Sequence, residues 1–257
     1  YLRFLSRWHA LDDPASLDQA LERLEGWSAP VEAWEHGLLR SRVKELDPGL
    51  LDQRFLSGEI AWFRPLTRQG GKHQVVAASP VALVPRLDLD AWRGSLSDLQ
   101  DGTSAGSDLG AYAQQVLNAL EREGALFMPE LERLTGLLAP QLEEGLKALV
   151  YEGRVTADAF SPLRWLLRPD REKSRARKRL ERGRGRAAIP IGRWSLLRPL
   201  LPSDDNAGRL KDTHVTRQQE LALICESLLR RYGVVFRAVL QREPLLPPWR
   251  DLLRYLR

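Results

Sequence analysis

The part of the sequence richest in groups that could do chemistry is a cluster of arginine and lysine residues between positions 164 and 198. This stretch carries 13 basic residues and 3 acidic ones, whereas the whole chain has a formal net charge of +5. The rest of the chain is therefore net acidic. Guanidinium groups form paired hydrogen bonds with phosphates and stack on bases. A basic patch on an otherwise acidic protein predicts a polyanionic partner.

The centre of this cluster, residues 171–186, holds nine basic residues in sixteen and ends in Arg182-Gly-Arg-Gly-Arg186. A flexible Arg/Gly run follows phosphates with little choice of sequence. The same composition is also typical of a solvated loop that only separates two modules. We favour nucleic-acid contact. The candidate binding residues, drawn from this cluster and from the last helix of the chain, are Arg164, Arg168, Arg171, Lys173, Arg175, Arg177, Lys178, Arg179, Arg182, Arg184, Arg186, Arg193, Trp249, Arg250, Arg254 and Arg257.

No pattern predicts a catalytic, metal-binding or cofactor-binding residue in this chain. Gly70-Gly-Lys-His73 comes closest to a phosphate-binding loop, but the upstream glycine is absent and histidine replaces the Ser or Thr that holds magnesium. The single Cys225 lies in an apolar run, so we expect a small buried hydrophobe in a reducing, cytoplasmic setting. The apolar runs are too short for a membrane span. The scattered histidines, which lack the spacing of metal ligands, are His9, His36, His73 and His214.

The elements that would position the basic cluster follow the order helix, strand, helix, helix, strand, which is typical of a winged-helix module. Apolar spacing and glycine turns define the clearest copy. Its elements are a helix over 110–122, a strand over 125–127, helices over 129–134 and 140–151, and a strand over 154–157. The sequence therefore predicts a mainly α fold with short β wings, an α+β class built from tandem winged-helix modules.

The same pattern returns at the C-terminus, where Gly233 aligns with Gly124 and Phe236 with Phe127, giving a repeat of roughly 108 residues. A looser copy lies at the front, with helices over 17–24, 31–43 and 48–56. Its wing is predicted to be a hairpin of Ile60–Phe63 with Gln74–Ala77 across a tip at 67–73.

These copies predict four segments. The first winged-helix module, with a β-hairpin wing, covers 1–100, and the second covers 101–168 and begins with a polar linker at 101–108. A basic flexible loop covers 169–190. A strand and a third module, which ends before its wing, cover 191–257.

The third helix of a winged helix usually enters the major groove. In the middle copy this helix is predicted to expose Gln141, Glu143, Glu144 and Lys147, a face too acidic for close phosphate approach. We interpret the middle and front modules as packing units. The last copy offers Arg250, Arg254 and Arg257 and is the better candidate for a DNA reader.

Most of the eight tryptophans are predicted to lie in the core. Trp92 and Trp249 are the least enclosed by their sequence neighbours.

Several short blocks, in order, resemble the C-terminal region of bacterial Lhr, the large helicase-related proteins. The blocks are Phe4-Leu-Ser-Arg-Trp8, Leu56-Ser-Gly-Glu-Ile-Ala-Trp62, Gly153-Arg-Val-Thr-Ala-Asp158, Leu163-Arg-Trp-Leu-Leu167, Gly192-Arg-Trp-Ser-Leu-Leu197 and Leu229-Arg-Arg-Tyr-Gly-Val-Val-Phe236. Together they span nearly the whole chain.

The resemblance implies an accessory region of an ATP-dependent DNA helicase, with ATP and Mg used by motor domains upstream of this chain. It also implies a bacterial cytoplasmic protein, a partner that is DNA, single-stranded or in an RNA:DNA hybrid, and a homo-oligomer that acts in DNA repair. The region is similar in fold to AlkZ-type DNA glycosylases, whose active residues would be expected beyond Arg257. Two alternatives stay open: part of a base-excision module, and a purely structural assembly module.

Overall fold

A computed structural model of the chain describes residues 16–65, 75–97, 109–181, 192–197, 217–241, 243 and 246–256. The predicted hairpin tip at 67–73, the linker at 101–108, the run Arg182-Gly-Arg-Gly-Arg186 and Arg257 lie outside the described residues.

The first module has the element order of a winged helix. Its first helix begins at a side-chain cap, where the backbone N–H of Gln19 donates to Ser16 Oγ at 3.2 Å. Its third helix is capped by Asp47, which accepts from the backbone N–H of Gly49. The elements are α1 Leu17–Arg23, β1 Ser28–Pro30, α2 Val31–Ala33 continuing as a π-helix over Trp34–Leu39, α3 Pro48–Leu56, β2 Ile60–Phe63 and β3 Pro80–Pro85.

The sheet of this module has the strand order β1-β3-β2 and is antiparallel. The predicted partner of β2 at 74–77 is wrong, because Trp62 lies opposite Leu83 and the pairing strand is β3. The apolar run of β3 is buried on both faces of the sheet, whereas Val76 is exposed and the backbone N–H of Val75 donates to the carbonyl of Lys147 in the second module. Burial of the more apolar strand decides the pairing.

The second module repeats this topology. A 3-10 turn Arg86–Asp88 and helix α4 Leu89–Ser97 follow the first module. The elements of the second module are α5 Ala111–Glu123, β4 Leu126–Phe127, α6 Met128–Thr135, α7 Ala139–Tyr151, β5 Val155–Ala157 and β6 Arg193–Leu196. The strand order β4-β6-β5 matches that of the first sheet.

Strand β6 corrects a predicted boundary. We assigned the strand after residue 191 to the third module, but Trp194 pairs with Leu126 of β4 and Ser195 pairs with Thr156 of β5. The indole of Trp194 is 1% exposed and meets Trp62 of the first sheet edge to face, with ring centroids 6.1 Å apart. Burial of this tryptophan draws the strand into the second module.

Between β5 and β6, where a wing loop would lie, the chain forms two helices, α8 Ser161–Leu167 and α9 Asp170–Glu181. The prediction of a flexible loop over 169–190 is therefore wrong for residues 170–181. Arginine, lysine and glutamate favour helices, and Asp170 and Glu172 lie in the first turn, where the helix dipole stabilises negative charge. We call α8 and α9 together the helical wing.

The third module consists of α10 Arg217–Tyr232, α11 Arg237–Leu240 and α12 Trp249–Leu252. Residues 234–236 are not in a strand, contrary to the prediction. In the other two modules the corresponding strand pairs with the strand that follows the wing. The described part of the chain contains no such following strand for the third module.

Two hydrophobic clusters hold the modules together. The first is continuous across the first and second modules and includes Trp62, Leu142 and Trp194. The second joins the opposite face of the first sheet, through Phe63, to α10 of the third module. The side chains of successive residues of β2 point to opposite faces of the sheet, so this strand contributes side chains to both clusters.

Trp92 belongs to the second cluster and is 2% exposed, so the prediction that it is poorly enclosed is wrong. Its ring lies over Gly26, where an added Cβ would lie 2.3 Å from a ring carbon, and Gly26 has a φ of +68°. Only glycine fits that position without a shift of the ring.

Candidate nucleic-acid interface

The third helix of the first module is covered by the helical wing. Phe55 of α3 stacks on Phe160, with ring centroids 5.6 Å apart and ring planes 7° apart. Asp52, also on α3, accepts hydrogen bonds from the backbone N–H groups of Phe160 and Ser161 at 2.9 and 3.0 Å. A carboxylate from one module thus caps the first helix of the wing of the other. These contacts occupy the face of α3 that holds Asp52 and Phe55.

Arg164 lies inside this contact. Its Nε is 3.0 Å from Glu35 Oε2, and its Nη2 donates to Asp52 Oδ2. The arginine side chain is 26% exposed, and the two carboxylates are less exposed. Burial raises the pKa of Glu35, and the positive charge of Arg164 opposes that rise. Arg164 was predicted to bind nucleic acid, but in the structure its guanidinium joins two modules.

The third helix of the second module, α7, is also covered by the helical wing, through Trp165 of α8 and Lys173 of α9. Lys173 Nζ lies 2.7 Å from Glu143 Oε2 and donates to the carbonyl of Leu166 at 3.0 Å. The indole N–H of Trp165 donates to Glu143 Oε1 at 3.2 Å. Both charged side chains are at most 5% exposed. We call this ion pair the wing clasp.

The wing clasp changes two predictions. Glu143 was predicted to be an exposed acidic residue of α7, but it is buried because Lys173 neutralises it and α9 covers it. Lys173 was predicted to bind nucleic acid, but its ammonium is turned inward. Burial lowers the pKa of Lys173, and the hydrogen bond and charge of Glu143 act against that change.

The outward face of α9 is cationic. Arg171, Arg175 and Lys178 are exposed and follow one another at intervals of four and three residues, which aligns them on one side of a helix. Lys173 points to the opposite side. We call the three exposed residues the basic face of α9. Arg168, just before α9, is exposed too, and its guanidinium carbon lies 5.8 Å from the centroid of the Trp165 ring.

The other predicted residues are spread over the molecule. Arg193 on β6 is half-exposed and its Nε donates to Asp158 Oδ2 at 2.8 Å. Trp249 is half-buried against the second cluster, and Arg254 is exposed. The side chain of Arg250 is 86% exposed and lies 3.3 Å from Asp251. The side chains of Arg177 and Arg179, like Arg182, Arg184, Arg186 and Arg257, lie outside the described part.

The last module does not present a long basic third helix among its described residues. Its α12 is a single turn of four residues, and one side of that turn is held by Leu252, which is fully buried. The structure therefore brings together one set of exposed cations, on and beside α9. Arg250 and Arg254 lie in the third module, apart from this set.

The sequence reasoning missed the carboxylates that hold the helical wing, namely Glu35, Asp52 and Glu143. Glu35 lies in the π-helix after α2, Asp52 on α3 and Glu143 on α7. These positions gave no local signal, because the partners of the carboxylates lie far along the chain. A signal for the basic face did exist in the spacing of Arg171, Arg175 and Lys178.

Among the residues with described positions, no group of three or more His, Cys, Asp or Glu side chains is placed to hold a metal ion. Within the same ranges, the helices are either too short or too polar to cross a membrane.

The topology of the two sheets is that of winged helices, and two parts of the chain match winged-helix domains of the large helicase-related protein. Residues 1–86 match the third such domain and residues 214–257 match the fourth. The chain belongs to the large helicase-related family. The predicted fold class, tandem winged helices of the α+β type, and the predicted resemblance to the C-terminal region of Lhr are both confirmed.

Two Lhr proteins are similar over most of this chain. The Lhr helicase/uracil glycosylase of Escherichia coli K12 is 28% identical over 246 residues, which cover 88% of this chain and 14% of that protein. The Lhr helicase and probable uracil glycosylase of Mycolicibacterium smegmatis is 25% identical over 264 residues, covering 95% of this chain and 16% of that protein. This Lhr region therefore spans about one seventh of the length of these curated relatives.

Proposed function

We propose that this Lhr region is a nucleic-acid-binding accessory region of an ATP-dependent helicase, and that it binds DNA, single-stranded or in a duplex with RNA, through the phosphate backbone. The observation that carries the proposal is the basic face of α9. Arg171, Arg175 and Lys178 are exposed there, in a stretch of 13 basic and 3 acidic residues.

The position of the helical wing supports contact with the backbone rather than with the bases. The third helices α3 and α7 pack against the wing through Asp52, Phe55 and Glu143. In winged helices this helix normally reads base edges in the major groove. Because α3 and α7 are used for internal packing, the basic face of α9 is the described surface that best fits a nucleic acid, and phosphate contacts position a protein without specifying sequence.

The proposal extends to the longer protein. Both relatives carry the description of a helicase, so we propose that ATP and Mg act in motor domains outside this region and that the whole protein works in bacterial DNA repair in the cytoplasm. No step of ATP hydrolysis or base excision is assigned to the residues described above.

A charge-reversal experiment tests the binding proposal. Single-stranded and duplex DNA are titrated separately. The variant Arg171→Glu/Arg175→Glu should lower affinity for at least one of them and reduce its slope of log affinity against log salt, by about 1.4 for a single strand or about 1.8 for a duplex, from two lost phosphate contacts. The matched control is Arg122→Glu/Arg133→Glu, which reverses two exposed arginines of α5 and α6. Equal affinities and slopes for the two variants would reject the proposal.

We also propose that a second copy of this chain binds to the second module. The observation that favours self-association is a set of large apolar side chains on its surface, with Leu138 70%, Phe127 43% and Leu134 37% exposed. Light scattering at tens of micromolar tests this: a dimer or larger species that Leu138→Glu dissociates supports it, and a monomeric wild-type chain rejects it.

A further inference from the structure

We propose that the basic face of α9 binds the phosphate backbone of a nucleic-acid duplex rather than a single strand, and that the buried Lys173 is the positioning residue that holds this face in register. The inference rests on the proposed function and names the form of nucleic acid that the site takes.

The geometry of the basic face suits the phosphates of a duplex. With a rise of about 1.5 Å per residue, Arg171 and Lys178 are separated by about 10 Å along the helix axis. A duplex carries one phosphate charge for roughly every 1.7 Å of its axis when both strands are counted. Three cations fixed on one side of a straight helix therefore face several phosphates at once.

Sites that bind single strands use base stacking in addition to charge. Between residues 161 and 193 the sequence contains one aromatic residue, Trp165. Its ring is half-buried, its indole N–H donates to Glu143 and Arg168 lies over the ring. The indole is thus engaged in contacts within the protein rather than presented for base stacking. A site that depends on phosphates gains more from a duplex, because each contact releases about 0.9 counterions there and about 0.7 from a single strand.

The wing clasp orients α9. Lys173 lies in the middle of the basic run, yet its side chain is 2% exposed and its ammonium contacts Glu143 and the carbonyl of Leu166. A buried ion pair contributes little net stability compared with apolar residues of the same size, but it fixes one arrangement, since breaking it leaves an unpaired charge. The pair lies on the side of α9 opposite Arg171 and Arg175, so it determines which side of α9 faces solvent.

The fixed arrangement matters for a duplex in particular. The phosphates of a duplex have regular positions, so cations held in register can meet several of them without being ordered on binding. A single strand adapts its own backbone to the protein and gains less from a rigid array.

The test compares a 20-base-pair duplex with a 20-nucleotide single strand of the same sequence, both fluorescently labelled and titrated with the chain between 50 and 200 mM salt. In the variant Arg171→Gln/Arg175→Gln/Lys178→Gln, the duplex slope should fall by about 2.7, from three contacts of about 0.9 each. The single-strand slope should not change. The control variant Arg40→Gln/Arg122→Gln/Arg133→Gln, at exposed positions elsewhere, should leave both slopes as in the wild type.

The outcomes separate the inference from the proposed function. If both slopes fall by similar numbers of contacts, the basic face binds nucleic acid but the duplex preference is overturned. If only the single-strand slope falls, the inference is again overturned while the proposed function stands. If neither slope changes, both fail.

A second pair of variants tests the role of Lys173. Lys173→Met leaves Glu143 buried without its cation, which destabilises the docked position of α9. Duplex affinity should then fall about tenfold, because the cations of the basic face are no longer held in position before binding. Lys173→Met/Glu143→Gln removes both charges and keeps an oxygen that accepts from Trp165. It should restore wild-type affinity to within a few-fold, with an unchanged salt slope, because Lys173 contacts no phosphate.

The double variant keeps the test valid if Lys173→Met fails to fold. A salt slope lower by about 0.9 in the double variant would show that Lys173 binds a phosphate itself, and would overturn its assignment as a positioning residue. Failure of the double variant to regain affinity would do the same.

Discussion

Asp52 caps a helix that begins more than a hundred residues later in the chain, at Ser161. Its Oδ1 accepts from the backbone N–H groups of both Phe160 and Ser161, and its Oδ2 accepts from Arg164. Because an uncapped helix start leaves backbone donors without partners, the first turn of α8 depends on a carboxylate from another module. The first and second modules are thus linked by polar groups as well as by their shared core.

Replacing this carboxylate should destabilise the chain. Asp52→Ala removes the cap of α8 and one carboxylate partner of Arg164, so we expect the free energy of unfolding to fall by about 2 to 4 kcal/mol. Urea titration followed by tryptophan fluorescence measures the change. Asp18→Ala is the control, because Asp18 forms an exposed ion pair with Arg54, and its loss should cost about 0 to 1 kcal/mol. Equal effects of the two substitutions would contradict the role of Asp52.

A second polar link joins the sheets. Thr156 Oγ1 donates to the carbonyl of Trp62 at 2.6 Å, and both residues are buried. Thr156→Val keeps the shape but leaves that carbonyl without its donor, which should cost about 1 to 3 kcal/mol of unfolding free energy. Ser41→Ala serves for comparison, since its hydroxyl bond to the Leu38 carbonyl is exposed and should change stability by less than about 0.5 kcal/mol. A neutral Thr156→Val would show that the link is unimportant.

The thiol of Cys225 should react slowly in the folded chain. The residue is 3% exposed, as predicted for a small buried hydrophobe, and burial raises its pKa to about 11. The thiolate is the reactive form, so at pH 8 alkylation by iodoacetamide should be far slower in buffer than in denaturing urea. Mass spectrometry of the quenched reaction measures both rates. Comparable rates would mean that the second cluster opens readily.

The carboxyl of Glu25 should give the stability a distinctive pH dependence. It is 2% exposed, accepts from the indole N–H of Trp92 at 2.8 Å and lies 3.0 Å from Arg230. Burial raises its pKa above 4.5, and Trp92, Ser227 and Arg230 act in the opposite direction. Since the folded pKa exceeds the unfolded one, the contribution of the bound proton is complete below pH 4.5 and is lost as the pH rises through the folded pKa.

We therefore expect the unfolding free energy of the wild type, relative to Glu25→Gln, to decrease as the pH is raised from 4.5 towards neutrality. Urea titrations at a series of pH values measure this difference. Glu121→Gln, at an exposed position of α5, should give a difference that does not vary in this way. A wild-type advantage that grows with pH would mean that Arg230 outweighs burial.

The sequence predicted the features that depend on local chemistry. It predicted helices that begin at Leu17 and Pro48, where the structure shows side-chain caps by Ser16 and Asp47. Apolar spacing located α5 and α7 to within a few residues. Each of these signals lies within one or two helical turns of the element that it predicts.

The failures all involve partners that are distant in sequence. A run such as residues 170–181, rich in arginine and lysine, is compatible with a helix or a solvated loop, and the contact of Lys173 with Glu143 decides between them. Likewise, the sequence of β6 is compatible with a strand of the second sheet or with the first element of the third module. The contact of Trp194 with Trp62 places it in the second sheet. Helix propensity and composition give no information on contacts between residues that are distant in sequence. The candidate site was therefore predicted as a charged segment and not as one face of a helix packed against the protein.

Because one hydrophobic core runs through the first two modules, we expect them to unfold in a single event. A cut in the predicted linker at 101–108 would divide the cluster that contains Trp62 and Trp194 and expose an indole on each half to water. Neither half should then melt with the cooperativity of the joined pair, because the buried apolar area that drives the transition lies at their junction. We therefore expect the repeated module to be a unit of architecture and the first two modules to unfold together.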